Sequence, residues 1–187
     1  KLVGAKRVIF ASSAAAISPT SPYGAHKRMT EMECKLYSSL YDIDTVSLRF
    51  FNVYSEDQKY GGTYSTAISA WFEMIKNNKP LRLDGDGTQT RDFVHVDDII
   101  DCLIHCMHYK QDFNGEIFEV GTGKSHSLIE IKNFIDNVFD VEWQLAPERV
   151  GDIKHSTASI VNLTKTGWKP RITLKKGLQR CIANVTK

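Results

Sequence analysis

Apolar and polar positions along this chain alternate in two periods, and the switches between them divide it into short strands and longer helices. The run Arg7-Val8-Ile9-Phe10-Ala11 reads as a buried strand, with Ser12 and Ser13 at its carboxyl end. Ser21 can cap and Pro22 suits a first turn, so a helix starts there and continues through Met29, Met32, Leu36, Leu40 and Tyr41 at helical spacing. A turn at 42–44 leads to a strand over 45–50, and the polar, Gly-rich stretch 58–66 reads as a loop. Ile68, Trp71, Phe72 and Ile75 predict a helix over 67–77, followed by a short strand at 81–83 and a tight turn at 84–87. A strand at 93–96 feeds a helix over 97–110, and another strand lies at 116–120. Ser127 and Glu130 form a capping-box pattern that opens a helix to 138, and a strand at 142–145 precedes a loop at 147–152. Strands alternating with helices, without internal repeats, predict an α/β chain built on a parallel sheet.

Composition narrows the function classes. With 187 residues, 42% of them hydrophobic, the chain can bury a core for one domain or one and a half. A net charge of +2 and no basic run give no electrostatic case for nucleic acid. No apolar stretch reaches transmembrane length, and the start does not resemble a signal peptide. Cys34, Cys102, Cys106 and Cys181 lack Cys-x-x-Cys spacing, which favours a reduced, cytoplasmic setting. Cys102, His105, Cys106 and His108 invite a zinc reading; however, His108 falls on another helix face and the neighbours are core-like, so no metal is expected.

The candidate chemistry sits at the first strand and helix. Tyr23 and Lys27 are four apart and share a helix face. A phenol titrates at about 10, and an ammonium one turn away favours its ionised form. Ser12 and Ser13 lie at a strand end, where open α/β sheets bind ligands. Together these residue types can donate a hydrogen bond to an alcohol or ketone oxygen and move its proton.

Five ordered motifs carry a resemblance. They are Phe10-Ala11-Ser12-Ser13-Ala14-Ala15; Ser21-Pro22-Tyr23-Gly24-Ala25-His26-Lys27; Leu48-Arg49-Phe50-Phe51-Asn52-Val53-Tyr54; the run 85–98, which contains Arg91-Asp92-Phe93-Val94-His95; and Arg149-Val150-Gly151-Asp152. In these the chain resembles the extended short-chain dehydrogenase/reductase family, and within it the UDP-glucose 4-epimerase-like nucleotide-sugar enzymes. The resemblance implies the later part of a Rossmann-type parallel sheet with a smaller α/β substrate-binding domain. Residues 1–53 and 88–110 would belong to the first unit, 54–87 and 111–187 to the second. The implied cofactor is NAD and the implied substrate a UDP-sugar. Ser13, Tyr23 and Lys27 would be catalytic. Ser12, Tyr23, Lys27 and Phe51 would contact the cofactor. Ser13, Asn52, Arg82, Leu83, Asp84, Arg91, Arg149, Asp152 and Ser156 would contact the substrate. Asp84 stands where the family often has an aromatic beside the base, so a contact there would be polar.

Some features depart from the family. No Gly-rich pyrophosphate turn precedes Ser12, and Gly121-Thr122-Gly123 lacks a third glycine, so the dinucleotide-binding front half is expected to be absent from this sequence. Residues 16–20 join Ser13 to Tyr23 by an unusually short link, or mark a place where a longer loop is missing. Ala14 and Ala15 stand where a nucleotide-sugar 4,6-dehydratase carries an acidic pair. A reductase that releases its cofactor, or a non-catalytic sugar-nucleotide-binding fragment, are the other readings. The resemblance also implies a homodimer, with Met32, Leu36, Trp71, Phe72 and Ile75 as candidate interface residues. Ser156 falls at the position that gates the sugar's C2 substituent, and its small size predicts room for an N-acetyl group.

Overall fold

A computed structural model describes residues 4–58, 66–148, 151 and 153–186. Strand β1 (Arg7–Ser13) runs into a single 3-10 turn at Ala14–Ala16, and helix α1 (Pro22–Tyr41) returns the chain to β2 (Asp44–Phe50). There follow β3 (Asn52–Tyr54), α2 (Ala67–Lys76), β4 (Leu81–Asp84), β5 (Thr90–Arg91), β6 (Phe93–His95) and α3 (Val96–His108). The remainder comprises β7 (Glu116–Val120), β8 (His126–Ser127), α4 (Leu128–Asp136), β9 (Trp143–Ala146), α5 (Val161–Lys165) and α6 (Leu174–Val185).

The main sheet is parallel, in the order β1-β2-β7, with Ala11 opposite Leu48 and Leu48 opposite Phe118. Val46 and Leu48 are buried, as expected of a strand central to a parallel sheet covered on both faces. Smaller pairs flank it: β3 with β6 and β4 with β9, both parallel, and β5 with β8, antiparallel. This is the α/β class the alternation predicts. The capping box at Ser127 and Glu130 is present, and Asp42 ends α1 in the left-handed conformation at φ 55°.

Two apolar clusters organise the interior. One gathers Val46, Leu48, Val94, Ile99, Cys102, Cys106, Phe118 and Trp168 around the main sheet. The other gathers Tyr54, Ile68, Trp71, Phe72, Leu83, Ile131, Ile135 and Leu178 around α2, α4 and α6. Strand β7 lies in the span 111–187 assigned by sequence to the second unit, and it hydrogen-bonds to β2 in the main sheet. Arg7 ties that sheet to α3. Its guanidinium pairs with Asp44 and donates to the carbonyls of Cys106 (2.8 Å), Tyr109 (2.6 Å) and Gln111 (2.7 Å). Asp44 in turn accepts from the N–H groups of Phe113 and Asn114.

The helices present their apolar residues differently from one another. Trp71, Phe72 and Ile75 are buried in the second cluster, so they are core and not the interface residues expected of them. Met29, Met32, Leu36 and Leu40 of α1 face outward, with Met32 61% and Leu40 67% exposed. The residues α1 buries are Gly24, Glu31 and Cys34.

Candidate functional site

The carboxyl ends of β1 and β2 form one edge, and the first turns of α1 lie against it. Pro22 occupies the first helical position, and the Ser21 hydroxyl accepts the N–H of Gly24 (3.2 Å). A β-carbon on Gly24 would stand 2.5 Å from the Ala15 carbonyl oxygen, so only glycine lets α1 approach the 3-10 turn this closely. That approach, together with the single turn at Ala14–Ala16, is how the short link from Ser13 reaches Tyr23.

Lys27 anchors the edge. Its Nζ donates to the Ala11 carbonyl (2.7 Å) and lies 5.6 Å from the centre of the Tyr23 ring and 4.9 Å from that of Phe10. An ammonium with one proton committed to a strand carbonyl retains two for other acceptors. Ser13, half-buried, accepts the Ala15 N–H at its Oγ (3.2 Å), which leaves its own proton to donate. Tyr23 is exposed at this edge.

Ser12 lies beneath this edge, in the interior. It is buried, and its hydroxyl donates to Glu31 Oε1 (2.6 Å). Glu31 also accepts two bonds from Arg49, from Nε (2.8 Å) and Nη2 (2.7 Å). Burial alone would push the Glu31 carboxyl up; the Arg49 guanidinium and the Ser12 hydroxyl outweigh it and hold the carboxyl below its ordinary value.

A second region gathers around Asp92. Phe51 is buried, and Asn52 donates its backbone N–H to the Asp92 carbonyl (3.1 Å). The buried Asp92 carboxylate accepts from the N–H and hydroxyl of Thr122 (2.8 and 2.7 Å), from Gly123 N–H (2.9 Å) and from Ala158 N–H (3.2 Å). Arg91, next in the chain, donates from Nη1 to the Thr90 carbonyl. Thr90 pairs in turn with the segment carrying Ser156, its carbonyl accepting the Ser156 N–H (3.1 Å). Arg91 and Ser156 are thereby brought side by side. At β4, Arg82 is exposed and pairs with Asp84 (2.6 Å), while Leu83 is buried in the second cluster. Arg149 and Asp152 lie outside the described residues.

Sequence reasoning missed Glu31 and Arg49, and took the Arg91-Asp92 pair for its arginine alone. The available signal was spacing, since Glu31 follows Tyr23 and Lys27 on the same helix face. Among the described residues no group of three or more His, Cys, Asp or Glu could hold a metal ion, and no helix is long and apolar enough to cross a membrane.

Fold and site together define an α/β protein with hydroxyl, phenol and ammonium groups at the carboxyl edge of a parallel sheet. Residues 2–121 match the NAD dependent epimerase/dehydratase family, and the chain belongs to that family. A Methanocaldococcus jannaschii protein, provisionally described as a UDP-glucose 4-epimerase, is 35% identical over 168 residues, covering 89% of this chain and 53% of its own length. The structure of an epimerase from Methanothermobacter thermautotrophicus matches with a TM-score of 0.89 at 27% identity, over 99% of this chain and 60% of that one. A UDP-N-acetylglucosamine 4-epimerase from Methanobrevibacter ruminantium, in complex with UDP-N-acetylmuramic acid, matches with a TM-score of 0.83 at 31% identity, over 95% of this chain and 63% of that one. The chain thus spans about half to two thirds of the length of these relatives.

Proposed function

We propose that this chain carries the acid/base and sugar-nucleotide side of an NAD-dependent UDP-sugar 4-epimerase. The observation that carries the reading is the Lys27 ammonium, fixed to the Ala11 carbonyl and set beside the Tyr23 ring at the carboxyl edge of the sheet. The phenol and the two uncommitted ammonium protons suit the hydroxyls of a cofactor ribose, so Tyr23 and Lys27 would hold that end of NAD. When bound, NAD supplies a reversible hydride acceptor for a sugar carbon.

The chain's own groups handle the proton. The Tyr23 oxygen accepts the proton of the sugar 4-hydroxyl and returns it after the keto sugar has presented its other face. Ser13 donates a hydrogen bond to the same sugar oxygen, and Lys27 keeps positive charge beside the phenol. Arg91 offers a planar fork to the diphosphate, and Arg149 and Asp152 complete the nucleotide contacts in this reading. Asn52 and Asp84 provide polar contacts toward the sugar nucleotide. The relative seen with UDP-N-acetylmuramic acid supports an N-acetylated hexose as a substrate, consistent with the small Ser156. A division into a cofactor unit and a substrate unit is part of this reading, though the cluster around the main sheet also takes Phe113, Leu163 and Trp168 and the other takes Phe93.

The outward apolar face of α1 supports a homodimer joined through that helix. The whole reading is tested by incubating the full-length protein with UDP-glucose and UDP-N-acetylglucosamine and following inversion at C4 by proton NMR. Epimer formation is expected, and a protein that releases no NAD on denaturation and inverts neither sugar would refute the reading.

A further inference from the structure

We propose that Glu31 is a positioning residue for the Tyr23–Lys27 pair, fixing the roll of α1 against the sheet; the inference rests on the function proposed above. Tyr23, Lys27 and Glu31 follow one another at intervals of four, along one face of α1. Ser12 and Arg49 are direct cross-strand partners in β1 and β2, and the Glu31 carboxylate closes over that pair. Lys27 meets the adjacent residue, Ala11. Two consecutive turns of α1 are therefore pinned to two consecutive residues of β1. Through Arg49 the same clamp holds β2 just ahead of Phe51 and Asn52.

The need for such a clamp follows from how α1 is packed. A helix on a sheet usually owes its orientation to large apolar side chains inserted between the layers. Here those side chains point outward, and α1 buries only Gly24, Cys34 and Glu31. Gly24 sets how closely the helix approaches the turn at Ala15, but a residue without a side chain cannot set its rotation. Glu31, 0% exposed, with its carboxylate engaged by Arg49 and Ser12 and with Arg28 3.9 Å away, is the one large side chain that α1 buries fully, and with the Lys27–Ala11 bond it sets that rotation. A displacement of about 1 Å at the reacting groups can lower a rate about a hundredfold, so a small roll would register at Tyr23.

The test separates holding the fold from aiming the site. In the full-length protein, Glu31→Leu combined with Arg49→Met replaces the buried ion pair with apolar groups of similar size, an exchange that proteins often tolerate. The variant is expected to unfold at nearly the wild-type denaturant concentration and to bind UDP-sugar within about threefold of wild type, while kcat falls at least about tenfold. Acetylation of Lys27 by limiting acetic anhydride, measured by mass spectrometry against the exposed Lys35, should rise severalfold. A folded double variant with kcat within about threefold of wild type and an unchanged acetylation ratio would overturn the proposal. Should wild type itself lack epimerase activity, the proposed function fails separately, and the acetylation ratio still decides whether Glu31 positions Lys27. If the double variant does not fold, Glu31→Gln, which keeps its size and its Ser12 contact, is read by the same two measurements.

Discussion

A β-carbon on Gly177 would overlap the hydroxyl of Tyr54 and lie 2.7 Å from its ring carbon Cζ. Helix α6 therefore rests its backbone directly on the Tyr54 ring, which is 1% exposed and stacked edge-on against Phe93 and His95. Gly177→Ala should gain about 1 kcal/mol of helix propensity and lose more to overpacking, about 1–3 kcal/mol. Net destabilisation in urea is the expected outcome, partly relieved by adding Tyr54→Phe. Among the described residues the Tyr54 hydroxyl has no hydrogen-bond partner, so Tyr54→Phe alone should be neutral or slightly stabilising.

Asp92 joins three segments through one carboxylate, which makes it sensitive to a change that barely alters its shape. Asp92→Ala strands the N–H groups of Thr122, Gly123 and Ala158 and should destabilise by about 3 kcal/mol or more. Asp92→Asn keeps one acceptor oxygen and should cost about half as much. Chemical denaturation of the two variants checks the order; equal stability to wild type in Asp92→Ala would mean that this carboxylate does not hold the segments together.

For Tyr23 the expected loss is in rate. Tyr23→Phe in the full-length protein should reduce C4 inversion by about 10²–10⁴-fold while UDP-sugar binding, measured by calorimetry, survives. Retention of more than about a tenth of the activity would mean that another group moves the proton.

Sugar choice is tested at Ser156. The hydrogen bond from its N–H to the Thr90 carbonyl holds it near Arg91, and in the proposed function a bulky side chain there closes the space next to the sugar's C2. Ser156→Tyr is expected to lower kcat/KM for UDP-N-acetylglucosamine at least about tenfold and to spare UDP-glucose. A parallel fall for both sugars would point to general disruption of the strand pair.

With Trp71, Phe72 and Ile75 buried, α1 carries the face of the proposed dimer. Leu36→Glu, on the exposed helix face, should shift the mass measured by light scattering from dimer to monomer without altering the circular dichroism spectrum. A wild-type protein that is monomeric at micromolar concentration would refute it.

The order and type of the elements were legible because each apolar run is bounded by residues that stop it: Ser21 and Pro22 before α1, Asp42 after it, Ser127 before α4. What periodicity could not convey was the direction a stripe faces. Met29, Met32 and Leu36 have the same spacing logic as Ile68, Phe72 and Ile75, yet the first set lies on the surface and the second in the core. Glu31 was hidden for a related reason. A glutamate in a helix normally points to water, and only the pairing of Ser12 with Arg49 makes a buried one tolerable. The pairing of β7 was not legible, because its partner, β2, lies far earlier in the chain and a strand's own residues do not name the neighbour it will join.

The guanidinium of Arg7 also bears on the timing of folding. Its acceptors span Asp44 to Gln111, and Asp44 reaches on to Asn114, so the links that lock the main sheet to α3 close loops of up to about a hundred residues. During synthesis, β1 and β2 can emerge long before the carbonyls and the β7 strand that complete their surroundings. An early α1–β2 unit would carry an unfinished parallel sheet with the charges of Arg7 and Asp44 only partly engaged. Closure of this sheet should accordingly be a late, slow step, and a ribosome-stalled chain ending before β7 should remain open to proteases that the finished chain resists.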